Sequence, residues 1–171
     1  MSATARANEE IIDLASLRRT SFKELDALYR RAKKPSALSD LDGDAKGAML
    51  AWRTPQSGPL AWLLRRFGES SSFPWAGKSF KSGAGELGVG INRINLLRQM
   101  RWFPFKTRFD ASFLDGRPTL VLDYSGVANP PIIRKIVDEV REVSPGLYMG
   151  PAAILIGGKP RLVLFFALSF Q

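Results

Sequence analysis

A carboxylate and a phenol stand side by side at the end of an apolar run, LVLDYS, at residues 120–125. Asp123 and Tyr124 are residue types that can exchange protons with a substrate, so they are the candidates for acid–base catalysis. The spacing alone does not require catalysis. Asp123 could instead cap the following Ser-Gly turn or form an ion pair with Arg93 or Arg108, since an unpaired buried carboxylate is costly.

The composition excludes several kinds of chemistry. The chain contains no histidine and no cysteine. A Ser-His-Asp triad, a thiolate nucleophile, a histidine-bound haem and a His/Cys zinc site are therefore ruled out. We expect no metal and no cofactor.

A second group of residues could form an apolar binding pocket. Its members are aromatic side chains that fall in or beside predicted strands: Trp75, Phe80, Trp102, Phe105, Phe109 and Tyr148. Arg93 or Arg108 would then contact the anionic head of a hydrophobic ligand. The same aromatic residues are equally expected in an ordinary packed core.

Helices are predicted near the N-terminus. Residues 8–18 carry a rough helical stripe of apolar residues. Ser21 followed by Glu24 is a capping-box pattern, which predicts a helix from about Ser21 to Lys33 that Pro35 stops.

From residue 73 onward the pattern changes to short strands separated by glycine-containing turns. Residues 105–113 alternate between apolar and polar side chains, which is typical of a strand with one buried face. Asp115-Gly116 and Gly157-Gly158 match tight hairpin turns, and such turns favour antiparallel neighbours.

One further helix is predicted at residues 130–143, from Pro130 to Val143. Ile132, Ile136 and Val140 fall on one apolar stripe, and oppositely charged residues are spaced four apart on the other side. We expect this helix to lie on the core with its charged residues in solvent.

Together these elements predict an α+β, mainly β fold. N-terminal helices would precede an antiparallel, barrel-like sheet with the 130–143 helix inserted. An open, curved sheet packed on that helix is the alternative. Residues 1–19 would form a flexible or helical arm, and residues 20–171 a single domain.

The charge and the N-terminal sequence bear on partners and location. A net charge of +9 would attract a polyanion or an anionic membrane surface, although a solvated basic surface explains it equally well. Nucleic acid is the less favoured of those partners, and the oligomeric state stays open. The N-terminal sequence lacks the apolar run of a secretory signal, and we expect a cytoplasmic protein.

Five segments resemble a group of uncharacterised bacterial proteins over about residues 73–168. They are WAGKSF (75–80), GINR (90–93), LDGRP (114–118), DYS (123–125) and PGLYMG (145–150). That group looks like a lipocalin- or calycin-type barrel. The resemblance implies a ligand cavity and does not name the ligand.

Three functions therefore remain open. The first is binding of a hydrophobic small molecule, of fatty-acid or isoprenoid type, in a barrel cavity. The second is an enzyme that acts on such a ligand with an Asp/Tyr pair, for which Asp123 and Tyr124 are the candidates. The third is binding of nucleic acid or an anionic membrane through the basic surface.

Overall fold

Eight antiparallel strands form a closed barrel in the computed structural model, which describes residues 12–53 and 75–171. Each strand pairs with its neighbours along the chain, and β1 also pairs with β8 to close the sheet. The strands are β1 (Gly43–Trp52), β2 (Trp75–Ser82), β3 (Leu87–Leu96), β4 (Arg98–Ala111), β5 (Pro118–Asp123), β6 (Ile136–Ser144), β7 (Leu147–Ile156) and β8 (Lys159–Ser169). The mainly β, barrel-like fold is thus confirmed, and the sheet is not open.

Two helices precede the barrel, α1 (Leu14–Arg19) and α2 (Phe22–Arg31). The predicted capping box is present at α2, where the Ser21 hydroxyl accepts from the Glu24 amide and the Glu24 carboxylate accepts from the Ser21 amide. Both helices bury apolar side chains on the outer face of β7 and β8, with Phe165 at the centre of the contact. Helix α1 falls within the predicted N-terminal arm, whose residues 1–11 lie outside the described part of the chain.

Alternation along the strands decides which side chains enter the barrel. In β4, Phe105 and Thr107 are buried and face inward, whereas Lys106 is exposed on the outer face. Gly90 of β3 pairs with Phe105, and a Cβ at Gly90 would collide with the Phe105 ring. Glycine at this position therefore makes room for an aromatic ring inside the barrel.

The two ends of the barrel differ. At one end, a short 3₁₀ helix (Leu38–Leu41) places Leu38 and Leu41 against the inward-facing side chains. We call this the capped end. At the opposite end lie the β3–β4, β5–β6 and β7–β8 connections, and we call this end the rim.

The prediction of a helix at residues 130–143 is wrong. Only a short 3₁₀ turn (Ile133–Lys135) forms there, and it is followed by strand β6. Isoleucine and valine, which supplied the apolar stripe, are also the residues that favour strands. Three of the charged side chains expected in solvent are buried instead, namely those of Asp138, Glu139 and Arg141, whereas Arg134 and Lys135 are exposed.

Candidate functional site

A cluster of four polar side chains lies inside the barrel. Lys78 lies two residues before the inward-facing Phe80 in β2 and therefore faces inward too. Asn92 of β3 pairs directly with Lys78. Tyr124 follows the last residue of β5, and Asp138 faces inward from β6. We call these four residues the inner polar cluster.

Lys78 is at the centre of this cluster. Its Nζ lies 2.6 Å from the Tyr124 hydroxyl, 2.9 Å from Asp138 Oδ2 and 2.9 Å from Asn92 Oδ1. The Tyr124 hydroxyl in turn donates to the same Asp138 oxygen at 3.0 Å. An ammonium has three donors, so these three oxygen atoms match its full hydrogen-bonding capacity.

Further contacts orient the Asn92 amide. Its Oδ1 also accepts from the indole N–H of Trp75 at 3.1 Å, and its Nδ2 donates to the Phe103 carbonyl at 3.0 Å. Phe103 is the extra residue of a β-bulge in β4 and has a positive φ of 57°. The bulge and this costly backbone conformation thus direct a carbonyl group at the cluster.

The surroundings of the ammonium are apolar and aromatic. Lys78 Nζ lies between 5.2 and 5.5 Å from the ring centroids of Trp75, Phe105, Tyr124 and Phe166. The side chains of Lys78 and Asp138 are only 4% and 6% exposed. Burial lowers the pKa of Lys78, and burial also raises the pKa of Tyr124 well above its usual value.

The side chains near the rim differ in exposure: Ile94 and Ile154 are buried, whereas other apolar residues at this level are only partly buried. Trp75, Phe103 and Ile136 lie closer to the rim than the inner polar cluster does, and each is only partly buried. By contrast, Phe105 and Leu122, which lie deeper, are fully buried. These three partly buried residues, which we call the apolar collar, separate the cluster from the rim.

The predicted pocket residues divide into two groups. Phe80, Phe105 and Tyr148 are buried in the barrel interior, and Trp75 and Phe109 are partly buried against it. Rings near the capped end contact one another, with centroid distances of 5.4 Å for Phe80–Phe105 and 5.7 Å for Tyr148–Phe170. Those rings are therefore part of a packed core.

The other three predicted pocket residues, Trp102, Arg93 and Arg108, do not belong to this buried interior. Trp102 is 41% exposed. Arg93 follows the inward-facing Asn92 and so points outward, where it contacts Asp44 and donates to the Ala45 carbonyl. Arg108 is partly exposed and forms ion pairs with Asp110 and Asp123. Neither arginine faces the barrel interior.

Asp123 and Tyr124 are not brought together either. Tyr124 faces inward, whereas Asp123 lies on the outer face, where it pairs with Arg108 at 2.9 Å and accepts from the Ser125 amide and hydroxyl. Both structural roles considered for Asp123 are present. Tyr124 does have a carboxylate partner, but that partner is Asp138.

A second buried polar cluster, which the sequence patterns did not indicate, lies outside the barrel under α2. Glu139 accepts hydrogen bonds from the hydroxyls of Tyr29 and Ser112 and from the Phe113 amide. Arg141 is fully buried, stacks on the Tyr29 ring and makes two hydrogen bonds to Asp115. Burial raises the pKa of Glu139. These contacts join α2 to the barrel.

Comparisons with known proteins support the fold alone. No protein-family model matches the chain, and no curated protein matches it. A solved structure described as a protein from Thermomonospora curvata superposes with a TM-score of 0.56 at 17% identity, over 92% of each chain. The closed barrel is consistent with a calycin-like architecture. Within residues 12–53 and 75–171, no helix has the length and apolar character needed to span a bilayer.

Proposed function

We propose that the barrel binds an elongated hydrophobic molecule that carries one polar group, in the manner of a lipocalin. The observation that carries this proposal is the inner polar cluster, a buried ammonium with its partners on the inner wall of a largely apolar barrel. Binding sites of this kind are mostly apolar and use a few polar groups to orient the ligand. The polar group of the ligand would lie at Lys78 and Tyr124, and its apolar part would extend through the collar toward the rim.

The charge of the cluster favours a neutral polar group over a carboxylate. Asp138 lies 2.9 Å from Lys78 and balances its charge. A ligand carboxylate would have to compete with that of Asp138, whereas a carbonyl or hydroxyl oxygen could take the place of a neutral acceptor of the Lys78 ammonium, either the Tyr124 hydroxyl or Asn92 Oδ1. An isoprenoid-type alcohol, aldehyde or ketone therefore fits better than a fatty acid. Lys78, rather than Arg93 or Arg108, takes the head-group role.

The backbone near the cluster also supports a site. Phe103 adopts a positive φ that is unfavourable for a bulky residue. Its carbonyl accepts a hydrogen bond from Asn92, and its side chain is part of the apolar collar. Bulges and strained residues of this kind concentrate next to functional sites.

Two experiments test this proposal. The first is mass spectrometry of the organic extract from purified protein. The second is titration with an apolar fluorescent probe, followed by displacement of the probe with long-chain alcohols, aldehydes and acids. We expect saturable probe binding, and displacement by the neutral ligands in preference to the acid. The variant Lys78→Met/Asp138→Leu should keep probe binding and lose the preference for a polar end. Lys81→Met, a change at an exposed lysine of the same strand, is the control. Absence of saturable binding to the wild-type protein would refute the proposal.

Carbonyl chemistry at Lys78 is a second candidate, favoured by the lowered pKa of this lysine and its contact with an acid–base pair. The ammonium would first pass a proton to Asp138. The neutral amine would then add to the carbonyl carbon of an aldehyde or ketone. Return of protons to the carbinolamine oxygen, through Tyr124 and Asp138, would release water and leave a C=N bond.

Trapping with borohydride separates binding from this chemistry. Hydride adds to the C=N bond and gives a stable secondary amine, which peptide mass spectrometry locates. We expect a long-chain aldehyde to label Lys78 well before any exposed lysine. Labelling of surface lysines alone, with saturable binding retained, would leave the protein a binder and exclude the reaction at Lys78.

A further inference from the structure

The rim carries a combination of apolar and basic residues that the ligand site does not use. The three described rim connections each place an aliphatic side chain in solvent: Leu97 at the β3–β4 turn, Ile132 between β5 and β6, and Ile156 at the β7–β8 turn. Their exposures are 115%, 44% and 56%, respectively. Trp102, also exposed, lies in β4 close to the first of these turns.

Leu97 gives the clearest indication that these side chains are kept for a purpose other than packing. It has a positive φ of 33°, a conformation that favours glycine or asparagine and is costly for a bulky residue. Its side chain is fully exposed, so burial within the barrel does not offset that cost. An apolar side chain held in this way at a turn can gain free energy by entering an apolar medium.

The three described rim connections carry charges of one sign. Segments 95–102, 125–135 and 155–161 contain no Asp or Glu. The exposed cations in these segments are Arg98, Arg101, Arg134, Lys135, Lys159 and Arg161. At the capped end, cations such as Lys34 and Lys81 are mixed with the exposed carboxylates of Asp40, Asp42 and Glu86. In the described part of the chain, exposed cations thus lie together with three exposed aliphatic side chains at the rim, whereas at the capped end the exposed Leu87 lies among charges of both signs.

From this arrangement we propose that the rim docks onto an anionic lipid surface. Lipid headgroups would neutralise the cations, while Leu97, Ile132 and Ile156 would enter the boundary between headgroups and acyl chains. Trp102 would lie at headgroup depth, which is favoured for this side chain. The exposed side chains at the three turns are aliphatic, whereas a site for single-stranded nucleic acid needs successive aromatic side chains on which the bases stack.

Co-sedimentation with lipid vesicles tests the docking surface, and it does so without any ligand in the barrel. The probes are vesicles of phosphatidylcholine alone and vesicles that also contain phosphatidylglycerol. We expect binding to the anionic vesicles that weakens as salt is added. Each cation lost from the rim should weaken binding about fivefold.

Two matched sets of variants separate the rim from the rest of the surface. Leu97→Asn, which suits a positive φ, and Ile156→Ser should each weaken vesicle binding by about tenfold. Leu87→Ser is the control, because Leu87 is 62% exposed at the capped end. For charge, Lys159→Glu should weaken binding more than Lys81→Glu.

Three results would overturn the proposal. One is equal binding to neutral and anionic vesicles, and another is equal loss in the rim and control variants. The third is binding of single-stranded oligonucleotides that exceeds vesicle binding, is lost in Lys159→Glu and is unchanged in Leu97→Asn. That last result would identify the rim as a nucleic-acid surface.

Discussion

Lys78 and Asp138 form an ion pair across the barrel interior. They belong to β2 and β6, which are four strands apart around an eight-stranded barrel and therefore lie on opposite walls. Their side chains nevertheless meet, with 2.9 Å between Nζ and Oδ2. The pair links the two walls at the level of the cluster.

The first prediction concerns the stability of this pair. Lys78→Met should lower the free energy of unfolding by about 3–5 kcal/mol, because it leaves the Asp138 carboxylate buried without its cation. Lys78→Met/Asp138→Leu should be more stable than the single variant by about 2 kcal/mol or more. Denaturant unfolding measures both, with Lys81→Met as the exposed control. If the double variant lost as much free energy of unfolding as Lys78→Met and Asp138→Leu lose together as single variants, this account would be contradicted.

Much of the fold could be predicted from short-range patterns. Alternation over residues 105–113 and the Asp115-Gly116 and Gly157-Gly158 turns predicted antiparallel strands, and the capping box predicted α2. The prediction of a helix at residues 130–143 failed because the spacing of the branched apolar residues fits both the period of a helix and that of a strand. Only burial decides between the two, and burial depends on residues distant in the sequence.

The site was harder to predict, since it depends on contacts between distant strands. The sequence points to Tyr124 but offers the neighbouring Asp123 as its partner, and adjacent strand residues point to opposite faces. Asp138 falls on the solvent-exposed face of the helix that the sequence predicts. Lys78 lies two residues from Phe80, and this spacing places both on the same side of a strand.

The second prediction compares the three tyrosines. Tyr124 and Tyr29 each have several hydroxyl contacts to buried groups, whereas the Tyr148 hydroxyl makes one long contact, 3.5 Å to the Asp40 carbonyl. Replacing Tyr124 or Tyr29 by Phe should therefore cost about 1–3 kcal/mol of stability each, and Tyr148→Phe should cost less than about 1 kcal/mol. Thermal or denaturant unfolding gives the ranking. A loss at Tyr148→Phe that equals the other two would be inconsistent with these contacts.

The third prediction concerns acid. Hydrogen bonds from Arg141 lower the pKa of Asp115 to about 2, compared with an ordinary value of 3.8. Between these values the unfolded chain binds more protons than the folded one, so this contribution is present above about pH 4 and is lost as the pH falls through 2. It amounts to at most about 2 kcal/mol.

The Asp115→Asn variant should show a shallower loss of stability than the wild type between pH 4 and pH 2. Asp110→Asn, at an aspartate that is 50% exposed, is the control and should keep the wild-type slope. Free energies of unfolding at a series of pH values measure the slopes. If Asp115→Asn also kept the wild-type slope, the Arg141–Asp115 pair would not be the source of the acid sensitivity.

The last prediction distinguishes packed core from ligand site within one strand. Phe105 and Phe109 both face inward from β4, but Phe105 is fully buried against Phe80 and Tyr124, whereas Phe109 is only partly buried near the capped end. Phe105→Ala should cost about 3–5 kcal/mol, because it leaves a void in dense packing beside the inner polar cluster. Phe109→Ala should cost less.

Probe titration of the same variants adds a second measurement. A void at Phe105 would lie next to the proposed ligand position, so Phe105→Ala should change the affinity for an apolar probe, and Phe109→Ala should leave it close to the wild-type value. The expected result is thus a larger effect at Phe105 in both measurements. If Phe109→Ala altered probe affinity and Phe105→Ala did not, the ligand would bind toward the capped end, and Lys78 would not be its polar contact.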